Sequence, residues 1–203
     1  MKIRASLFLL ILFIAISSPG QTTKGFTKAK KRYELRSIFV RYLITGDAQG
    51  TRLFRFTDYG RLERIDEDYT YRLYTLKEEK HTTQLRRNDT VYAINRKTGA
   101  TKKEIDQLTN KLLSYKTPYE AITSFWINDG GEIIEQDTLL GLPVTHWEFP
   151  GGTITKLWEW KGIPIKYNKK LGSLIYQVSA DEIDSTSTLP KHIFILPDSL
   201  AGH

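Results

Sequence analysis

The sequence predicts an α+β domain: one antiparallel sheet of about ten strands, with two short helices inserted after the sixth strand to cover its apolar face. Three observations carry this. Short runs of apolar and polar alternation occur from Tyr33 to Asn95 and again from Glu132 to Val178. Turns bearing Gly, Asn and Asp separate the runs. Between the two series, two segments open with Thr-x-x-Glu, the pattern that begins a helix. Strands, inserted helices and strands again describe a sheet that must hide one face beneath its helices.

The N-terminus comes first. Lys2 and Arg4 precede Ala5 to Ile16, an apolar run interrupted only by Ser6, and Ser18-Pro19-Gly20 follows. A charged start, a short apolar stretch and small residues make residues 1–20 a secretory signal cleaved near Gly20. The run is too short to span a bilayer of ~30 Å as a helix. Export to the periplasm or beyond is therefore expected, with no integral membrane anchor. The chain has no cysteine, which excludes disulfides and a lipidated cysteine. What remains, about 183 residues, is enough for one self-sufficient core. Removing Lys2 and Arg4 lowers the formal net charge from +7 to +5. The basic residues are dispersed except for Lys24, Lys28, Lys30, Lys31 and Arg32, so residues 21–32 read as a basic, partly disordered lead-in to a single domain over 33–197. Residues 198–203 read as a loose tail.

Along the domain, Tyr33 to Ile44 reads as a long strand with Ile38, Val40, Tyr42 and Ile44 on one face. Gly46 to Gly50 is a turn, and Thr51 to Asp58 returns as a hairpin. Strands follow near Arg61 to Ile65 and Tyr69 to Leu76, on either side of an acidic bend at Asp66-Glu67-Asp68, and the hairpin His81 to Arg86 with Thr90 to Asn95 comes next. The period then changes. A helix from Thr101 would stack Ile105, Leu108 and Leu112 on one stripe; a second, with Thr117 as cap and Pro118 at its first position, groups Ile122, Phe125 and Trp126 and ends at Asp129-Gly130-Gly131. Strands resume over Glu132 to Leu140, Leu142 to Phe149, Thr153 to Tyr167 and Ser173 to Val178. The segment Ile193 to Pro197 should pack back as a short extended or turn-like piece.

Motifs for chemistry are missing. The chain has no nucleophile elbow, phosphate loop, dinucleotide glycine pattern, zinc-protease helix or EF-hand loop. The four histidines are far apart, and His146 reads as a solvated or hydrogen-bonded strand residue. The acidic clusters at 66–68 and 181–184 match no calcium loop and read as solvated turns. Neither cofactor nor metal is expected, no catalytic residue is nominated, and no nucleic-acid motif is present.

Aromatics are the stronger signal. Alternation puts Trp158 and Trp160 side by side on one strand face. Such rings either fill the core or line an apolar cleft between sheet and helices, with Phe125 and Trp126 contributed from the second helix.

Two segments, Gly50-Thr51-Arg52-Leu53-Phe54-Arg55-Phe56-Thr57-Asp58-Tyr59-Gly60-Arg61 and Thr155-Lys156-Leu157-Trp158-Glu159-Trp160-Lys161-Gly162-Ile163-Pro164-Ile165-Lys166, resemble stretches of exported bacterial proteins related to the LolA-like lipoprotein-carrier superfamily. Gly141-Leu142-Pro143-Val144 sits where those proteins begin a later hairpin. The resemblance implies an incomplete, strongly curved antiparallel barrel with an apolar concave side lidded by helices. It also implies binding of an acyl chain or another hydrophobic molecule, or of a lipid-modified partner. The expectation is a non-enzymatic, monomeric binding protein with Phe125, Trp126, Trp158 and Trp160 as cavity lining. The alternative is an envelope interaction module whose cavity is filled by its own side chains.

Overall fold

The structure is a computed structural model and describes residues 31–73, 75–106 and 115–196. The expected signal, most of the basic lead-in, Leu108, Leu112, Pro197 and the tail lie outside these residues. Among them run β1 (Ile38–Gly46), β2 (Ala48–Thr57), β3 (Leu62–Leu73), β4 (Leu76–Arg87), β5 (Thr90–Asn95) and β6 (Thr101–Ile105), then the helix α1 (Pro118–Asn128). After it come β7 (Glu132–Leu139), β8 (Leu142–Glu148), β9 (Ile154–Trp160), β10 (Ile163–Leu171) and β11 (Leu174–Asp184). Short 3-10 turns occupy Asp58–Gly60 and Lys191–Phe194.

The eleven strands described form one sheet in the order β6-β5-β4-β3-β2-β1-β11-β10-β9-β8-β7. Every pairing is antiparallel. The first and last strands meet in the middle, and the two edges are β6 and β7, the strands on either side of α1 in the chain. The sheet is curved but not closed. Arg52 on β2 donates from Nη1 to the Tyr167 hydroxyl on β10 at 2.6 Å, and the Tyr69 and Tyr176 rings, on β3 and β11, lie 6.3 Å apart. Each pair is separated by three strand spacings, ~14 Å in a flat sheet, so the sheet must bend to bring them together. This open, curved sheet is the half-barrel architecture that the resemblance implies.

Local chemistry explains much of this. Leu140-Gly141 and Lys161-Gly162 both adopt positive φ at each position, the two-residue turn whose twist suits antiparallel neighbours. On α1 the capping box forms as expected: Glu120 N–H donates to Thr117 Oγ1 at 3.1 Å, and Thr117 N–H donates to the Glu120 carboxylate at 3.3 Å. Gly130 ends the helix at φ +83°, and Gly131 N–H returns to the Trp126 carbonyl at 2.8 Å.

Three expectations need correction. Thr101–Ile105 is strand β6, not the first turn of a helix, and Ile105 is exposed rather than on an inward stripe. The Thr-x-x-Glu pattern there satisfies a few backbone groups locally, whereas pairing with β5 satisfies a whole ladder. Among the described residues the helical cover is α1 alone. Residues 66–68 form no bend: β3 runs unbroken through them because arginines and lysines of neighbouring residues receive the carboxylates. The expected strand over Thr153 to Tyr167 is instead the hairpin β9–β10, broken at Lys161-Gly162. Of the two readings of His146, the hydrogen-bonded strand residue holds: it is buried, its Nδ1 lies 3.4 Å from Glu135 Oε1, and it stacks on Trp158 with ring centroids 4.3 Å apart.

The core lies on the concave face. Ile38, Val40, Tyr42 and Ile44 of β1 are at most 3% exposed, and opposite them stand Phe54 and Phe56 of β2 and Val178 and Ala180 of β11. Burying each large apolar side chain stabilises the fold by about 1.5–3 kcal/mol. On the convex face, Arg64 holds the chain near the C-terminus by donating from Nη1 to the Ile193 carbonyl at 2.9 Å, and Phe194 and Leu196 are buried there. That segment packs back as expected.

At Gly50 of β2 the backbone of β3 leaves no room for a side chain. A methyl group at this position would sit 2.1 Å from the Asp68 carbonyl oxygen and 2.5 Å from Tyr69 Cα. Gly50→Ala should cost about 3 kcal/mol, the upper end of overpacking penalties. A urea midpoint unchanged from the parent would show that β2 and β3 do not meet in this register.

Candidate functional site

The concave face is the candidate ligand-binding surface. Its centre is apolar and its two ends are ionic. At the centre Tyr33 stacks on Phe56 with ring centroids 4.3 Å apart and meets Phe54 edge-on at 6.2 Å; Phe54 and Phe56 are 5.7 Å apart. The Tyr42 hydroxyl donates to the Pro164 carbonyl at 2.7 Å, tying β1 to β10. Trp147 and Leu157 are fully buried and continue the wall across β8 and β9.

One ionic end gathers Arg32, Tyr33, Glu63, Arg86 and Asp106. The Tyr33 hydroxyl donates to Glu63 at 3.0 Å, Arg86 Nε lies 3.5 Å from Glu63, and both Arg32 and Arg86 reach Asp106. Arg32, at the close of the expected lead-in, is thus seated in the fold. The other end gathers Arg52, Glu67, Lys80 and Lys169 among Tyr69, Tyr167 and Tyr176. These residues, with Ile44 and Val178, line a cavity of ≈ 20 Å³, about the room one water needs. Burial works to raise the Glu67 carboxyl, but nearby Arg52 and Lys80 outweigh it and hold it below its ordinary value. Burial, opposed by Glu67 and assisted by Lys80 and Arg52, brings Lys169 down from 10.5 to about 8.

Of the four aromatic residues expected as lining, Trp126, Trp158 and Trp160 are half-buried and packed against the core, and Phe125 lies beside Trp126. On α1, Trp126 meets Phe149 edge-on with centroids 5.8 Å apart, and Phe125 lies against Trp126 at 4.9 Å. Phe149 shares the face of Trp147 and Leu157, so the helix covers that corner of the concavity. Ile122 reaches the Lys161-Gly162 turn, where a methyl on Gly162 would lie 3.3 Å from its Cγ2. Trp158 and Trp160 lie on the other side of β9 from Leu157 and Glu159, half-buried. Leu157 and Glu159 alternate with them and are the buried pair, at 0% and 1% exposure. Trp158 is sandwiched between His146 and the Lys166 ammonium, 4.7 Å from the ring centre, and Trp160 carries Lys161 at 5.2 Å. Alternation places the two tryptophans together but is silent on which face is inner; the pairing of Leu157 with Tyr167 decides it.

Three features of this face had little sequence signal. Arg52 and Lys169 read as ordinary strand charges. Glu159, between two tryptophans, is buried without a cationic partner among the described residues: one carboxylate oxygen accepts from Gly162 N–H in the β9–β10 turn, and burial pushes its pKa up. Among the described residues no group of His, Cys, Asp and Glu is arranged to hold a metal ion, and no helix is long and apolar enough to cross a membrane.

No family model and no curated protein matches this sequence. Solved structures do. An uncharacterized conserved protein from Thermus thermophilus aligns with a TM-score of 0.50 at 8% identity, over 82% of this chain and 91% of that one. LprF from Mycobacterium bovis aligns with a TM-score of 0.36 at 12% identity, over 78% of this chain and 90% of that one. MucB aligns with a TM-score of 0.42 at 9% identity, over 84% of this chain and 60% of that one. The Thermus protein shares the fold.

These burials have two measurable consequences. Burial raises the pKa of Tyr42, Tyr69, Tyr167 and Tyr176 above 10.0, and that of Tyr33 to about 12. The stability these groups contribute is complete below pH 10 and is lost as pH rises through their folded values. Near-ultraviolet absorbance should show this interior set ionising only above pH 10, together with unfolding. A single non-cooperative titration near the ordinary value would refute the interior placement. Separately, Glu159→Gln keeps an acceptor for Gly162 N–H and removes the charge. A raised carboxyl pKa means stability fully present below 4.5 and lost as pH rises through the folded value. The variant should therefore match the parent in acid and exceed it at neutral pH, as read from urea midpoints; a less stable variant at neutral pH would reveal a hidden partner for the carboxylate.

Proposed function

We propose that this chain is an exported, non-enzymatic binding protein that holds the apolar part of a ligand, an acyl chain or a lipid-modified partner, against the concave face of its half-barrel. The observation that carries this reading is the form of that face: a continuous aromatic and aliphatic wall from Phe149 to Ile65, on a sheet left open between β6 and β7. A closed barrel would seal such a wall, and a flat sheet would not surround a ligand. The resemblance of the 50–61 and 155–166 segments to exported proteins of the lipoprotein-carrier superfamily points the same way. The non-enzymatic reading is supported by how the interior carboxylates are used. Glu63 serves Tyr33 and Arg86, Glu67 serves Lys80 and Arg52, and Glu159 serves a turn.

The cavity volume favours a second reading. Ligand pockets run to about 300–1,000 Å³, and the cavity at the Arg52–Lys169 end of the concave side measures ≈ 20 Å³. A carrier must therefore open, with α1 and Tyr33 moving off the wall. An envelope interaction module would keep its own side chains there permanently.

An environment-sensitive apolar dye separates the two. A carrier takes up the dye saturably, about one per chain, in native buffer, and native mass spectrometry of the protein recovered from the periplasm of a bacterial host without detergent finds a lipid-sized adduct. Dye uptake that begins only with unfolding, together with a clean apo mass after incubation with envelope lipids, would replace the carrier with the self-filled module.

A further inference from the structure

The ionic cluster at the β3–β10 end of the concavity is unbalanced. Arg52, Lys80 and Lys169 bring three cationic groups to a cavity whose lining includes one carboxylate, Glu67. Glu67 is already engaged: Lys80 donates to it at 3.2 Å and Arg52 Nη1 lies 3.7 Å away. Arg52 spends its other described bond on the Tyr167 hydroxyl, and its buried Nε has no hydrogen-bond partner among the described residues. Lys169 rests over the Tyr176 ring, its ammonium 5.9 Å from the centre, and joins no carboxylate of the described residues in an ion pair. A buried donor left without an acceptor is costly, and so is a half-buried ammonium without an anion. The Tyr167 hydroxyl accepts from Arg52 and keeps its own O–H to donate, and the Tyr69–Tyr176 pair, bonded to each other, leaves one more neutral donor in the same lining. The apolar Ile44 and Val178 form the inner wall, so the charged end opens directly onto the centre of the concave face.

We propose that this cluster is a site for an anionic group, a carboxylate or a phosphate, held by Arg52, Lys169 and the tyrosine hydroxyls. The inference rests on the half-barrel reading and gives its ligand a polarity: the anionic head sits at the Arg52–Lys169 end and the apolar tail runs inward past Ile44 and Val178. The same chemistry would also take a free anion. Lys169 is the freest of the three cations and Glu67 the intrinsic competitor, so the two define opposite tests.

The full chain, as exported by a bacterial host, is titrated by calorimetry with dodecanoate, with dodecanol and with inorganic phosphate. Dodecanoate should bind at least about tenfold more tightly than dodecanol, the value of one charge-assisted hydrogen bond. Lys169→Met should remove most of that preference and leave dodecanol binding unchanged. Because it deletes a partly buried charge that makes no ion pair among the described residues, it should not lower the thermal midpoint. Glu67→Gln should widen the preference. Equal affinities for dodecanoate and dodecanol, or a preference that survives Lys169→Met, would overturn the anion site while leaving the half-barrel reading intact. Phosphate binding without either amphiphile would keep the site as one for free anions and overturn the apolar-ligand reading. No binding of any of the three would overturn both.

Discussion

Everything on the concave face depends on the pairing of β1 with β11. Without it the chain is two separate antiparallel ribbons, β1 to β6 and β7 to β11, each with an apolar face it cannot bury alone. The pairing joins residues far apart in sequence: Arg41 and Asp181, 140 positions apart, form an ion pair across it. Closing so long a loop costs entropy that must be offset by contacts available only once the strands meet. Ile44 opposite Val178 and Tyr42 opposite Ala180 are such contacts. Placing the domain's first and last strands in the centre of the sheet also sends the cut in the barrel to β6 and β7, on either side of the helix.

Register across the sheet is held by charge as well as by apolar matching. Residues along β3 send Glu63 and Glu67 to the concave side and Asp66 and Asp68 to the convex side, and each meets cationic groups brought in from other parts of the sheet. A one-residue slip would reverse every one of these and leave buried carboxylates unpaired. Ion pairs of this kind add little net stability once desolvation is counted, but they penalise the wrong alignment heavily. The same device sets the character of the concavity, with an apolar centre between two ionic ends.

The open edges are blunted rather than sealed. Edge strand β7 is exposed along most of its length and carries Glu132, Glu135 and Asp137, while β6 carries Lys102 and Lys103. Charge on an edge discourages pairing with another chain. That protection lets a half-barrel stay open without aggregating. It is compatible with a wall that receives a ligand and equally with one that its own aromatic residues fill.

The sequence by itself determined the features whose causes are local. The Thr117 capping box, the break at Gly141 and the alternation along β1 each need only a few neighbouring residues, and each formed as read. The α+β class followed from their sum. The tertiary structure alone decided the rest, because the deciding partners are distant in the chain. Thr101–Ile105 became a strand once β5 offered an unpaired edge, and Asp66-Glu67-Asp68 stayed extended once cations arrived from other parts of the sheet. Leu157 rather than Trp158 became the fully buried residue once it paired with Tyr167, and Arg52 met Lys169 only because the sheet bends. Alternation specifies which residues share a face. Which face is buried is a property of the assembled sheet.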